Sequence, residues 1–446
     1  MRNIYSLLIV YVILAMFLYC CTGEKIYNLV VKPVNAIQVT MKFDIRIAEK
    51  INFKYWETSS PDETFIEINK PSRHHQITLF NLKPGTRYGY VIEIAGSEKS
   101  FSTDTSFFTT LIPEPSLPEL SLSTDSGNVF NGFIMIRTVE GLSRQLILDN
   151  RANIVWYHDF DSTVTRFYSW TNRNTVLSLD NEDHIHEFDL EGNTIFELNI
   201  GEKGFSKFLH HEIIRDNSGR ILSLTRNMQL FDLSEFGGNP ADTVYGDGIL
   251  VLDSTGNRVW EWDMYKYSDP LEDDSIKRMR IDWSHGNSLS IDADGNYLVS
   301  FRNFHQVWKI NSSSGDIIWK LGLKGDFELK EENLFYSQHS VFTNRFNEIT
   351  IFDNGLPGTY SRLISFNMTA DSQVVAGRYN LRLPASLYTV KEGSGYFIDD
   401  DKILFCSSRN NVIVVINTSG NILWELHTPE PVYRAYYIDD PELFNF

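Results

Sequence analysis

At 446 residues the chain is too long for one small core, and the length points to two or three domains. Hydrophobic residues at 42%, aromatic ones at 13% and charged ones at 22% exclude a disordered or fibrous chain and leave a globular one. The formal net charge of -18 excludes a nucleic-acid backbone or an anionic membrane surface as the main partner, because each needs a basic footprint. A small anion held by local arginine and histidine stays open, since screening limits distant charges to a reach of roughly 8–10 Å.

Met1-Arg2-Asn3 precede an apolar run from Ile4 to about Leu18. That run is short for a membrane span and suits an export signal over residues 1–21. Leu18, three places before Cys21, and the small Cys20 resemble a loose bacterial lipoprotein box. Cys21 is therefore either a lipid anchor or lost with the cleaved peptide. Only Cys406 remains in the body of the chain, which excludes an internal disulfide and a thiolate metal site.

Residues 27–112 alternate apolar and polar over short runs such as "AIQVTMKFDI" and "HQITLF", the pattern of an all-β domain. "LFNLKPGTRYGYVIEI" resembles a fibronectin type III β-sandwich, and Leu82, Gly85 and Tyr88 would then form its tyrosine corner. Pro113, Pro115 and Pro118 mark an extended connection to residues 113–446.

From about residue 120 the chain repeats. An apolar strand, a turn rich in Gly, Asn and Asp, and a strand with a bulky aromatic recur around Trp156, Phe196, Trp260, Trp319 and Trp424, with a degraded copy in "LISFNMTADSQVVAGRY". At about 55 residues per copy, each is the size of a four-stranded blade, and the pattern predicts a six-bladed β-propeller. A count of seven stays open if C-terminal residues complete the first blade. The tryptophans are expected to pack between blades.

A second hairpin lies between these signatures: "HHEIIRDNSGRILSLTRN", "HGNSLSIDADGNYLVSFRN" and "QHSVFTNRFNEITIFDNG". With Gly219, Gly295 and Asn347 as the same turn position, the residue eight before is His211, Asn287 and His339. Seven after it stand Arg226, Arg302 and Asn354. One position repeated on several blades projects toward one axis, so a ring of polar groups is expected there. His210 and His285 belong to the same hairpins, whereas His74, His75, His158, His184, His186, His305 and His427 read as structural or surface groups. Neutral histidine can act as nucleophile, acid, base or metal ligand, and arginine presents a planar fork to oxyanions. An arginine on the axis disfavours a dication, so no metal and no cofactor are expected. Histidine with arginine suits transfer of a phosphoryl or sulfuryl group. No serine nucleophile elbow, phosphate-cradling glycine loop or dinucleotide fingerprint occurs.

These residues resemble the bacterial arylsulfate sulfotransferases of the ASST type. The likeness is carried by "HHE" (210–212), "DWSHGNS" (282–288), "SFRN" (300–303), "QHS" (338–340), "FDNG" (352–355) and "YRA" (433–435), and by the plan of a small β-sandwich before a six-bladed propeller. The resemblance implies ping-pong transfer of a sulfuryl group from an aryl sulfate donor to a phenolic acceptor, without a nucleotide. By motif position it implies His339 as the nucleophile that becomes sulfated. His211, His285, Asn287 and Arg302 would bind the sulfuryl oxygens or protonate the leaving phenoxide, with His210 as the alternative to His211 and Asn354 as a further substrate contact. It also implies a periplasmic or envelope location and a homodimer joined through the sandwich. Two rival classes are a propeller that binds a sulfated or carboxylated ligand without turnover and a zinc-dependent hydrolase.

Overall fold

The computed structural model describes residues 26–95, 101–138, 143–160, 167–277, 279, 281–368 and 374–444. Residues 1–21, read as an export signal, and Cys21 with them lie outside the described residues. Two compact units divide the chain, Met1–Pro113 and Glu114–Asn445.

The first unit is antiparallel: β1 (Ile26–Asn35), β2 (Gln38–Glu57), β3 (Ser60–Leu79), β4 (Arg87–Ala95), β5 (Phe101–Ser102) and β6 (Ser106–Thr109). Its two long strands change register between Asp44 and Ile51, so the first half of β2 pairs with β1 and the end of β3. The second half of β2 pairs with the start of β3 and with β4. Alternation does the rest, because Val39, Met41, Phe43, Ile51 and Phe53 of β2 share one core with Tyr88, Tyr90, Ile92 and Ile94 of β4. The expected corner forms: the Lys83 N–H donates to the Tyr88 hydroxyl at 2.9 Å, with Leu82 buried and Gly85 at φ +62°.

Among the described residues the second unit forms six antiparallel sheets, the blades of a six-bladed propeller. Their inner strands are Tyr436–Ile438 (blade I), Phe167–Trp170 (II), Leu209–Arg215 (III), Gly286–Ile291 (IV), Ser340–Thr343 (V) and Ser394–Phe397 (VI). Those of blades I to V touch in succession. Both ends of the unit close the ring. Tyr436–Ile438 completes blade I against Phe133–Thr138, and β7 (Ser121–Asp125) adds a fifth, outer strand to blade VI against Ile422–His427. The C-terminal residues thus complete the first blade, and the count is six rather than seven.

The aromatic signatures occupy the third and fourth strands of each blade counted from the axis, and their rings tie neighbours together. The indole N–H of Trp156 donates to the Leu190 carbonyl at 2.7 Å, and that of Trp424 to the Asn150 carbonyl at 2.8 Å, each in the next blade. Their turns are held by a leading Asp or Asn, as where the Asp253 carboxylate accepts from the Thr255 and Asn257 N–H groups.

At the axis lies Arg434, fully buried. Its guanidinium is paired with Glu212 of blade III and donates to the carbonyls of Asn287 in blade IV at 2.7 Å and His339, at the head of blade V, at 3.2 Å. Its own carbonyl accepts from the Tyr168 hydroxyl of blade II at 2.7 Å. The next residue, Ala435, donates its N–H to Ser394 Oγ of blade VI at 3.5 Å, and the chain then enters the inner strand of blade I. Removing one partner of a buried pair leaves an uncompensated charge. Arg434→Met is expected to lower the unfolding free energy by about 3–5 kcal/mol, read as a lower urea midpoint; an unchanged midpoint would show that the pair does not hold the ring.

Candidate active site

The inner hairpins of blades III and IV bulge where they reach the axis. In blade III, His210 pairs with Leu224 but Ile213 with Ser223, so His211 and Glu212 form a bulge. Blade IV bulges at Asn287, between the Gly286–Phe301 and Ser288–Ser300 pairs. A bulge bends its strand and re-aims the side chains on it. His211 (φ +59°) and His285 (φ +51°) adopt the left-handed conformation, which side chains with a Cβ rarely occupy and which persists where surrounding contacts enforce it.

Two adjoining cavities result. The smaller, about 230 Å³, is lined by Phe167, His211, His285, Arg302, His339, Lys391, Glu392 and Tyr433. The larger, about 410 Å³, is lined among others by His210, His211, Arg226, Tyr245, Asp247, Asp282 and His285. His211 and His285 border both, with ring centroids 5.1 Å apart. Phe167 stacks on His211 and Tyr433 meets His339 edge to face, which supplies apolar wall beside the polar groups.

Each of the three histidines is held through Nδ1 by a different group. His339 Nδ1 lies 2.8 Å from the Gly393 carbonyl, which can only accept. The ring is therefore the Nδ1–H tautomer, with Nε2 left as the lone-pair nitrogen. His285 Nδ1 is bonded to the Asp282 carboxylate. His211 Nδ1 lies 2.8 Å from His210 Nδ1, and His210 Nε2 is 3.1 Å from Asp247. Burial lowers His339 and His211 well below the ordinary imidazole value, and neighbouring cationic groups, Arg434 for the first and the adjacent histidines for the second, add to it. Both are neutral at pH 7. Arg302 is half-buried, with its cation disfavoured by that burial, and makes no ion pair among the described residues. It is a cation available to an anion in the smaller cavity.

The structure thus brings together His211, His285, Arg302 and His339, and it places His210 in the larger cavity. Asn287 and Asn354 line neither. The Asn287 amide donates to the Gln338 carbonyl at 2.8 Å, joining blades IV and V. Asn354 donates to the carbonyls of Thr389 and Glu392, both at 2.9 Å, and so anchors the loop that carries Lys391 and Glu392 to the cavity. Both side chains are buried and give their amide N–H groups to backbone carbonyls. Arg226, on the larger cavity's wall, is paired with Glu182 at 3.2 Å. Among the described residues no group of His, Cys, Asp or Glu is arranged to hold a metal ion.

Sequence reasoning missed Asp247, Lys391 and Glu392, none of which recurs in the repeat. The Glu392 carboxylate is held by Ser408 and Arg409, which leaves Lys391 as the second cation of the smaller cavity. Asp282, Glu212 and Tyr433 stood inside quoted motifs without a role.

Cationic and imidazole groups converging in a propeller channel define an enzyme-like anion site. The family model for Arylsulfotransferase (ASST) matches residues 120–379, more than half of the chain, and the chain belongs to that family. No curated protein sequence matches it. Solved structures with some likeness include a protein of unknown function from Bacteroides caccae, at 11% identity over 69% of this chain and 100% of that one (TM-score 0.46). Another is the Cps50 (Swd1) β-propeller domain of Myceliophteria thermophila, at 12% over 69% and 86% (TM-score 0.42). A third is the virginiamycin B lyase of Staphylococcus aureus, at 15% over 60% and 71% (TM-score 0.36).

The buried neutral histidines link stability to pH. His211 and His339 are depressed well below their ordinary value, and His158 to about 4, mainly by burial. Below about pH 6.5 the unfolded chain takes up protons that the folded one refuses. Stability is therefore fullest above that pH and falls as pH drops toward the depressed values. The urea midpoint is expected to decrease between pH 7 and 5, less so in a His211→Gln, His339→Gln variant; equal slopes would contradict the burial argument.

Proposed function

We propose that the chain transfers a sulfuryl group from an aryl sulfate to a phenol in two steps through sulfated His339. His339 Nε2 forms a bond to sulfur as the S–O bond to the aryl oxygen breaks. The bonding pair goes to that oxygen, which takes a proton from a neighbouring imidazole, His285 or His211, and leaves as the phenol. In the second step the acceptor phenol gives its proton back to the imidazole and its oxygen attacks sulfur. The N–S pair then returns to Nε2.

The observation that carries this reading is the His339 tautomer: a buried neutral ring, tethered by a carbonyl at Nδ1, with Arg302, which makes no ion pair among the described residues, lining the same cavity. Arg302 and Lys391 would hold the sulfuryl oxygens as charge shifts onto them, and Phe167 and Tyr433 offer aromatic faces to the aryl group. With an export signal at residues 1–21, the reaction would run in the periplasm or cell envelope, where a nucleotide donor is not needed.

Incubation with 4-nitrophenyl sulfate alone is expected to add the mass of one sulfuryl group to the protein, and to add nothing to His339→Ala. A phenol should then discharge it. Nitrophenol released without an acceptor beyond one equivalent per protein would point to a sulfatase, and no release at all to a binding propeller. Arg302→Ala is expected to lose about a hundredfold or more in turnover, because one donor to developing oxyanion charge is worth about 3–4 kcal/mol; near wild-type turnover would sink its role.

A further inference from the structure

A buried carboxylate and a second histidine stand directly behind His211. Asp247 is buried at the edge of the larger cavity and accepts from three sources: the Gly286 N–H at 2.6 Å, the Ser284 hydroxyl, and His210 Nε2 at 3.1 Å. Burial favours its protonation, but these hydrogen bonds outweigh that and hold it below the ordinary aspartate value, so it is a carboxylate. The pair fixes hydrogen on His210 Nε2. His210 Nδ1 then faces His211 Nδ1 at 2.8 Å, and one shared proton must lie between the two rings. His211 itself borders both cavities and is packed against His285 and Phe167.

We propose that Asp247 and His210 form a proton relay behind His211, which makes His211 the group that exchanges a proton with the phenols. This rests on the sulfuryl-transfer reading of the same site. In the acid form, hydrogen sits on His211 Nε2, and the shared proton lies on His210 Nδ1. The positive charge then resides on His210 beside the Asp247 carboxylate, and His211 is a neutral N–H donor. When the aryl oxygen leaves sulfur with the bonding pair, it takes the Nε2 hydrogen of His211. The shared proton moves from His210 Nδ1 to His211 Nδ1, and both rings end neutral. The acceptor phenol reverses both movements. A charged imidazolium is thereby kept out of the His211 position, where burial and the Arg434 guanidinium disfavour it. His210 and Asp247 are positioning and relay groups. His211 would be the catalytic one.

Leaving-group dependence separates a relay from a structural prop. A nitrophenolate leaves without a proton, whereas a phenolate bearing no nitro group needs one. His210→Gln and, as a second variant, Asp247→Asn are compared with wild type on 4-nitrophenyl sulfate, phenyl sulfate and 4-methylphenyl sulfate. The relay predicts a loss of about a hundredfold or more with the two poor leaving groups and less than about tenfold with 4-nitrophenyl sulfate. Sulfation of His339 by 4-nitrophenyl sulfate should still be seen by mass. Equal losses on all three donors, or none, would overturn the relay while the sulfated protein is still trapped. If wild-type protein is never sulfated, the transfer reading itself fails and the relay with it.

Discussion

One buried ion pair carries the geometry of the propeller channel. Arg434 and Glu212 are 222 residues apart in the chain, and the arginine also binds the carbonyls of Asn287 and His339. Taking a guanidinium out of water is costly and is offset here by hydrogen bonds from its two terminal nitrogens to oxygen. Blades III, IV and V supply those oxygens. The same arginine that closes the ring therefore fixes the backbone of His339 and draws Glu212 inward, leaving His211, its bulge neighbour, at the cavity wall. Fold closure and site assembly are one event here.

Three histidines of similar intrinsic chemistry acquire different tasks from what lies behind Nδ1. A carbonyl behind His339 fixes the tautomer and adds no charge, which suits a nucleophile. A carboxylate stands directly behind His285, and a histidine with a buried carboxylate beyond it stands behind His211. Groups behind a ring decide which nitrogen holds hydrogen and where positive charge can rest. Asn287 and Asn354 contribute at one further remove. Their amides hold the Gln338 backbone and the 389–392 loop, so their effect on the cavity passes through the residues those segments carry.

Apolar surface completes the channel. Phe167 and Tyr433, on strands and loops from opposite ends of the unit, meet at 5.3 Å and enclose His211 and His339. A low-polarity wall strengthens the pull of Arg302 and Lys391 on an anion and keeps the histidines neutral.

The repeat period, the tyrosine corner and the candidates His211, His285, Arg302 and His339 were all legible in the amino-acid order. They depend on local causes: alternation, turn chemistry and the spacing of polar residues around a turn. Asn287 and Asn354 share a register position with histidine and arginine but line neither cavity. A bulge or a nearby carbonyl rotates one copy of a position into the cavity and another into the wall. Asp247, Lys391, Glu392 and the use of Arg434 had no repeat to reveal them, and the first of these meets His210 only through cross-strand pairing and the packing of blade III against blade IV. The sequence by itself determined a ring of blades with histidine and arginine near the axis. Only the tertiary structure decided which of them face one cavity, because that choice is made by contacts between residues tens to hundreds of positions apart.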